Sequence, residues 1–374
     1  MNGLVLSIRL SFLFAFLLPC RLPAAETATA ADVLERTGIR GGLVVVLGCE
    51  DPDLIADLRA GDSFLVRGLD TDLAKMEQAR KAIQARGLYG PVSVDRFEGD
   101  KLPFVDNLVN LMVVSDSSRQ VSDEELMRVV APGGVLCTFS HSPLTIRHSV
   151  KPRPAEIDDW THWLHGPDNN AVSRDRQVGV SSSLQWIMPP LWGRHHNLLH
   201  VINAMVSANG RVFVIIDEAP IAVRGLTDRW VLLCRDAFNG LDLWRRPLAD
   251  WGWRKWSPLE VGIEMRYQSP EQLLNRLVAV DDVVYVTLGF EAPVTALDAR
   301  TGQTLRTYAG TERTATISFR EGTLYLTRNA AGDKKQVVAT STARQRALRS
   351  LPIVTRNCRC GDDTDKEAGS RVEH

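Results

Sequence analysis

The stretch Gly41-Gly-Leu-Val-Val-Val-Leu-Gly48 decides how the first half of the chain is read. Leu43 to Leu47 form an unbroken, mostly β-branched apolar run with no polar face, the pattern of a strand buried on both sides of a parallel sheet. The glycine at its end suits a turn from strand into helix. Working outward, Phe64 to Leu69 reads as a second strand closing on Asp70. A helix follows from Ala74 to Arg86, with Met76, Ala79 and Ile83 on one face. Further strands are expected at Val92 to Arg96, Asn107 to Val114 and Gly133 to Phe139, with a helix from Asp123 to Val130. Strands alternating with helices at this interval imply an open, Rossmann-like α/β sheet over residues 31–150.

Four stretches in this domain resemble motifs of the S-adenosylmethionine-dependent methyltransferases of the small-molecule class. Val46-Leu-Gly48-Cys49 looks like the end of the cofactor loop, and Gly68-Leu-Asp70 like the acidic end of the second strand. Gly99-Asp100-Lys-Leu-Pro-Phe104 looks like the adenine-side motif, and Arg128 to Gly134 like the helix and turn before the fifth strand. The resemblance implies cofactor contacts at Gly48, Asp70 and Asp100. An acid about 20 residues after the glycine turn can accept hydrogen bonds from ribose hydroxyls. The loop also departs from the family, with Val46 where an acid is wanted and Glu50 and Pro52 where glycines are wanted. Glu50 brings a side chain and a charge close to the ligand, and Pro52 is expected to remove a backbone donor. No catalytic residue is assigned.

The 374 residues suffice for two domains, and a formal net charge of -1 advertises neither nucleic acid nor an acidic partner. Arg9 precedes the apolar run Leu10 to Leu18, then Pro19 and a small-residue stretch at Ala24-Ala25, as in a secretory signal over residues 1–25. That run is far shorter than the roughly 20 apolar residues of a membrane-spanning helix. The expectation is an exported protein of the periplasm or cell surface, with no transmembrane span after cleavage between Ala25 and Ala31. The six cysteines show no disulfide framework; Cys49, Cys137 and Cys234 sit in apolar runs as buried thiols.

Residues 151–205 form a connector rich in tryptophan and histidine. Every histidine except His374 falls between His141 and His200. His162 and His165, with Asp158 or Asp159, carry ligand types suited to a divalent metal, but their spacing is a weak signal and no metal is assigned. The alternative is packing of the tryptophans, with ordinary hydrogen bonds from the histidines.

From about residue 206 to 330 the pattern changes to short strands and turns. Asp236-Ala-Phe-Asn-Gly240 recurs as Asp298-Ala-Arg-Thr-Gly302, each followed by a hydrophobic strand start. The aspartate can bond backbone amides ahead of it, and the glycine tolerates positive φ. Ala296-Leu-Asp-Ala-Arg-Thr-Gly-Gln-Thr-Leu305 resembles the PQQ-like repeat of quinoprotein dehydrogenases and of an outer-membrane assembly lipoprotein. The resemblance implies a β-propeller, incomplete because blade signatures stop near Leu326. The aspartate base, calcium ligands and adjacent cysteines of a quinone site find no match, so PQQ is not expected as a cofactor. Residues 331–374 read as a disordered tail. The order of segments resembles exported proteins of planctomycete-group bacteria, which join a methyltransferase-like domain to a PQQ-like propeller. The leading expectation is a non-catalytic scaffold or binding protein, with a protein or polysaccharide partner in the cell envelope. The alternatives are a methyltransferase and a quinone-dependent oxidoreductase.

Overall fold

The computed structural model describes residues 28–115, 121–141, 144–179, 183–189, 202–219, 228–252, 255, 271–329, 335–342 and 349–351. The signal-like segment lies outside them, as do Cys358 and Cys360 and the stretch with His195, His196 and His200.

The expected α/β sheet is present. Five parallel strands, β1 (Gly42–Leu47), β2 (Phe64–Asp70), β3 (Val92–Arg96), β4 (Val109–Ser115) and β5 (Val130–His141), are joined by antiparallel β6 (Leu144–Val150) in the order β3-β2-β1-β4-β5-β6. All of β1 is buried, because alternate residues feed two cores. Val44, Val46, Leu111 and Val113 pack with Leu54, Ile55, Met76, Ala79 and Ile83 of α2 (Pro52–Asp57) and α3 (Leu73–Ala85). Leu43, Val45, Met112 and Val114 pack on the opposite face with Leu126 and Val129 of α4 (Asp123–Val129).

The sequence reading missed α1 (Ala30–Thr37), whose capping box pairs Thr29 with Asp32, and it missed β6. Ala28 and Ala30 are buried.

The second unit contains three four-stranded antiparallel sheets. The first runs β7 (Ile202–Ala208), β8 (Arg211–Asp217), β9 (Trp230–Asp236), β10 (Asp242–Pro247), and the second β11 (Leu277–Val280), β12 (Val283–Thr287), β13 (Val294–Asp298), β14 (Thr304–Thr307). The third is β15 (Thr314–Arg320), β16 (Thr323–Asn329), β17 (Lys335–Ser341), β18 (Arg349–Leu351). Phe213, Ile215, Leu232 and Cys234 join the first sheet to Val284, Val286 and Leu297 of the second. Tyr285, Val294 and Ala296 of the second meet Ile317, Leu324, Leu326 and Val338 of the third.

The repeated turns have matching geometry. Ala237 N–H donates to Gly210 O and Ala299 N–H to Asp282 O, each at 2.9 Å. The Asp236 carboxylate accepts from the amides of Phe238 and Asn239, as Asp298 does from Arg300 and Thr301. An indole covers each turn. Trp186 Nε1 donates to Ala237 O at 3.0 Å and Trp244 Nε1 to Ala299 O at 2.9 Å. An added Cβ would lie 2.5 Å from Trp186 at Gly240 and 2.7 Å from Trp244 at Gly302, and both glycines have φ above +60°.

Within the stretch expected as a disordered tail over 331–374, β17 and β18 are strands, a correction for residues 335–341 and 349–351. The Asp-Ala-x-x-Gly signature is missing from the third sheet, yet Thr342 N–H still donates to Gly322 O at 2.9 Å, in the manner of Ala237 and Ala299. Pairing to β16 orders a segment whose composition is otherwise polar.

The connector fastens itself to these sheets. Trp160 O accepts from Ser207 N–H at 2.8 Å and Thr161 O from Ala279 N–H at 3.0 Å. His162 Nε2 accepts from Phe319 N–H at 3.1 Å, so its proton sits on Nδ1, 2.7 Å from Thr161 Oγ1. Burial pushes the His162 imidazole down to about 4, below the ordinary value near 6.5. Its folded-state pKa is depressed, so the unfolded chain binds more protons between those values and stability is lost as pH falls below about 6.5. The expected loss from pH 7 to pH 5 is about 2 kcal/mol. Urea unfolding across that range should show it, and His162→Gln should flatten the dependence.

Candidate functional site

The candidate site lies at the carboxyl ends of the parallel strands, where the order turns from β1 towards β2 on one side and β4 on the other. In open α/β sheets this switch point leaves a crevice for a ligand. Gly48 follows β1 with φ +93°, in the region that favours glycine. Its N–H donates to Leu69 O at 2.9 Å. The next amide, of Cys49, donates to Asp70 Oδ2 at 2.7 Å, and Asp72 N–H donates to Asp70 Oδ1 at 2.9 Å. Asp70 therefore holds the first loop against the start of α3 while itself buried. Each of its carboxylate oxygens keeps a lone pair after those bonds.

Sequence spacing thus brings Gly48 and Asp70 together as expected. Asp100 is exposed. Its loop is anchored at one end by Phe97 N–H to Asp70 O at 3.2 Å. At the other end Glu125 accepts from Leu102 N–H at 2.7 Å, and Arg128 binds Glu125 and Asp106. That hydrogen bond to Arg128 holds the Glu125 carboxyl below its usual range. Glu125 is a positioning residue that the motif reading overlooked; the signal was a glutamate three residues before Arg128 on the same helix face.

Two loop departures resolve differently. Pro52 is the first residue of α2, behind the N-cap Asp51, whose side chain accepts from Leu54 N–H. A proline there gives up an amide that would have no helical partner, so the expected lost donor has no cost. Glu50 remains a real departure. Its carboxylate is drawn to Lys75, in the first turn of α3, at 2.8 Å, and this bond raises the Lys75 pKa. Lys75 was not singled out in the sequence. Cys49 offers no nucleophile, since burial first and the neighbouring Asp70 second push its thiol up to about 12.

The connector histidines belong to a separate place. His162 and His165 exchange backbone hydrogen bonds in a tight turn, with His165 at φ +69° and its Nε2 2.6 Å from Asp158 Oδ2. Both ring nitrogens of His162 are engaged. Among the described residues no group of three or more His, Cys, Asp or Glu side chains is placed to hold a metal, and no helix is long and apolar enough to cross a membrane.

The first unit is a methyltransferase-like Rossmann domain. Over 117 residues the chain is 27% identical to the ubiquinone/menaquinone biosynthesis C-methyltransferase UbiE of Shewanella halifaxensis, and equally to that of Shewanella woodyi. The match takes in 29% of this chain and 47% of each of those proteins, so the chain spans about half the length of the curated relatives it matches. Among solved structures, a putative S-adenosyl-L-methionine-dependent methyltransferase from Methanococcus maripaludis is similar at 25% identity, with 30% of this chain and 53% of that one covered and a TM-score of 0.27. A SAM-dependent methyltransferase from Aquifex aeolicus is similar at 22% identity, covering 30% and 63% of the two chains, also with a TM-score of 0.27. No family model matches the sequence.

Proposed function

We propose that this chain binds S-adenosylmethionine over Gly48 and Asp70 and is an S-adenosylmethionine-dependent methyltransferase. The observation that carries the reading is the Asp70 carboxylate, which organises the first loop and retains acceptor capacity for ribose hydroxyls. The cofactor would supply the electrophilic methyl group. The chain would bind and orient it, with Asp100 on the adenine side.

The three antiparallel sheets are read as PQQ-like blades of a propeller that receives a protein or polysaccharide partner of the cell envelope. Their matching turns and covering indoles support that reading. The leader-like first residues support an exported setting.

One observation favours a second reading, a cofactor-free scaffold: the Glu50 and Lys75 pair brings a bulky ion pair to a loop where the family has glycine. Glu50→Gly separates the two. That pair is half-exposed and is worth at most about 1 kcal/mol, so its loss leaves the fold intact. Thermal unfolding with S-adenosylmethionine should show a larger upward shift for Glu50→Gly than for the unaltered chain, since a ligand stabilises in proportion to its affinity. No shift in either protein favours the scaffold.

A further inference from the structure

A cavity of about 310 Å³ lies between the two units, at the opposite end of the parallel sheet from Gly48 and Asp70. Its floor is the turn after α1 and the Gly133-Gly134 turn within β5; its roof is the Asn209-Gly210 turn and the two repeated Asp-Ala-x-x-Gly turns. Four arginines line it. Arg153 and Arg211 sit deep, with side chains 24% and 19% exposed, whereas Arg300 is 55% exposed and stands with Arg40 towards solvent.

Carboxylates pair with three of the four. Asp159 clamps Arg153 at 2.9 and 2.7 Å. Asp282 is shared, at 3.1 Å from Arg211 and 2.6 Å from Arg300. Asp236 also lines the cavity, its carboxylate accepting from Asn110 Nδ2 and from the amides of Phe238 and Asn239. Arg40, whose backbone carbonyl accepts from Ser63 Oγ at 3.0 Å, is exposed and also lines the cavity. The charged residues that line this concave seam are thus four arginines and one aspartate, although the chain as a whole carries a formal -1. The volume falls at the small end of ligand pockets, roughly 300 to 1,000 Å³. A guanidinium is a planar fork of donors, a shape that matches the oxygens of a phosphate.

We propose that this seam is a binding site for a phosphate group, free or carried by a small molecule, held between Arg40 and Arg153 on one side and Arg211 and Arg300 on the other. Such a ligand bridges the two units and stabilises their docking. The site is independent of the cofactor reading, which concerns the other end of the sheet.

The test uses the full chain, titrated by calorimetry with inorganic phosphate and with glycerol 3-phosphate, against sodium chloride at matched ionic strength. Saturable binding is expected, and Arg40→Ala should weaken it about tenfold, the effect of one charge-assisted hydrogen bond. The ligand-free unfolding midpoint of that variant should be unchanged. Tighter binding of glycerol 3-phosphate identifies an organic phosphate as the ligand class; tighter binding of inorganic phosphate identifies the free anion. The proposal is overturned if neither phosphate binds saturably, or if neither Arg40→Ala nor Arg300→Ala weakens binding.

Discussion

Replacing Asn110 by leucine is expected to destabilise the chain by about 4 kcal/mol and to uncouple its two units. Asn110 opens β4 at the amino end of the parallel sheet, facing the Asp236 turn of the first antiparallel sheet. Its Oδ1 accepts from Leu43 N–H at 2.8 Å and from Asn239 Nδ2 at 2.7 Å, while its Nδ2 donates to Asp236 Oδ2 at 2.7 Å. The partners are partly or wholly buried, and Asp236 is only 5% exposed. Leucine has a similar volume but leaves one backbone amide and one side-chain amide without this acceptor, and a buried carboxylate without one of its donors. Each such loss costs about 1 to 3 kcal/mol. Gly42 is part of the same fit, because an added Cβ there would meet Asn110 Oδ1 at 2.0 Å. Urea unfolding of the variant should show two separated transitions where the unaltered chain shows one. A single transition with an unchanged midpoint would mean that this clasp does not couple the units.

The second large effect is expected at Asp70. Alanine there should cost the first unit about 3 kcal/mol and abolish S-adenosylmethionine binding. The stability term follows from the two amides, of Cys49 and Asp72, that would lose their acceptor, each at about 1 to 3 kcal/mol. The binding term follows because the same carboxylate shapes the loop around Gly48 and offers the acceptor for ribose. Asparagine is the informative contrast, since it keeps one oxygen but turns an NH2 group against a backbone N–H, and should fall between the two in stability. Circular dichroism checks the fold of each variant and calorimetry its binding. An Asp70→Ala protein with unaltered stability would remove the role given to this carboxylate.

The parallel sheet was legible in the sequence because a strand buried on both faces leaves an uninterrupted apolar run, as in Leu43 to Leu47 and Leu111 to Val114. The pairing of Gly48 with Asp70 was legible for a related reason, since adjacent parallel strands bring their ends together at a fixed spacing. Other features depend on context that local pattern does not carry. The cost of Pro52 turns on its place in a helix, and the first position of α2 is where proline is tolerated. The third sheet lacks the aspartate and glycine that announce the other turns, so β17 passed as polar tail. Asn110 and Asp236 lie 126 residues apart, and nothing in either neighbourhood announces their contact. Glu50 was read as an obstruction from its side chain and charge, without Lys75, the partner that α3 brings to it.

The most direct measurement of the central claim is a calorimetric titration of the chain with S-adenosylmethionine near neutral pH. Saturable one-site binding that Asp70→Ala removes and Glu50→Gly strengthens is the expected result. Absence of binding in both the unaltered chain and Glu50→Gly, with the fold intact by circular dichroism, would contradict it.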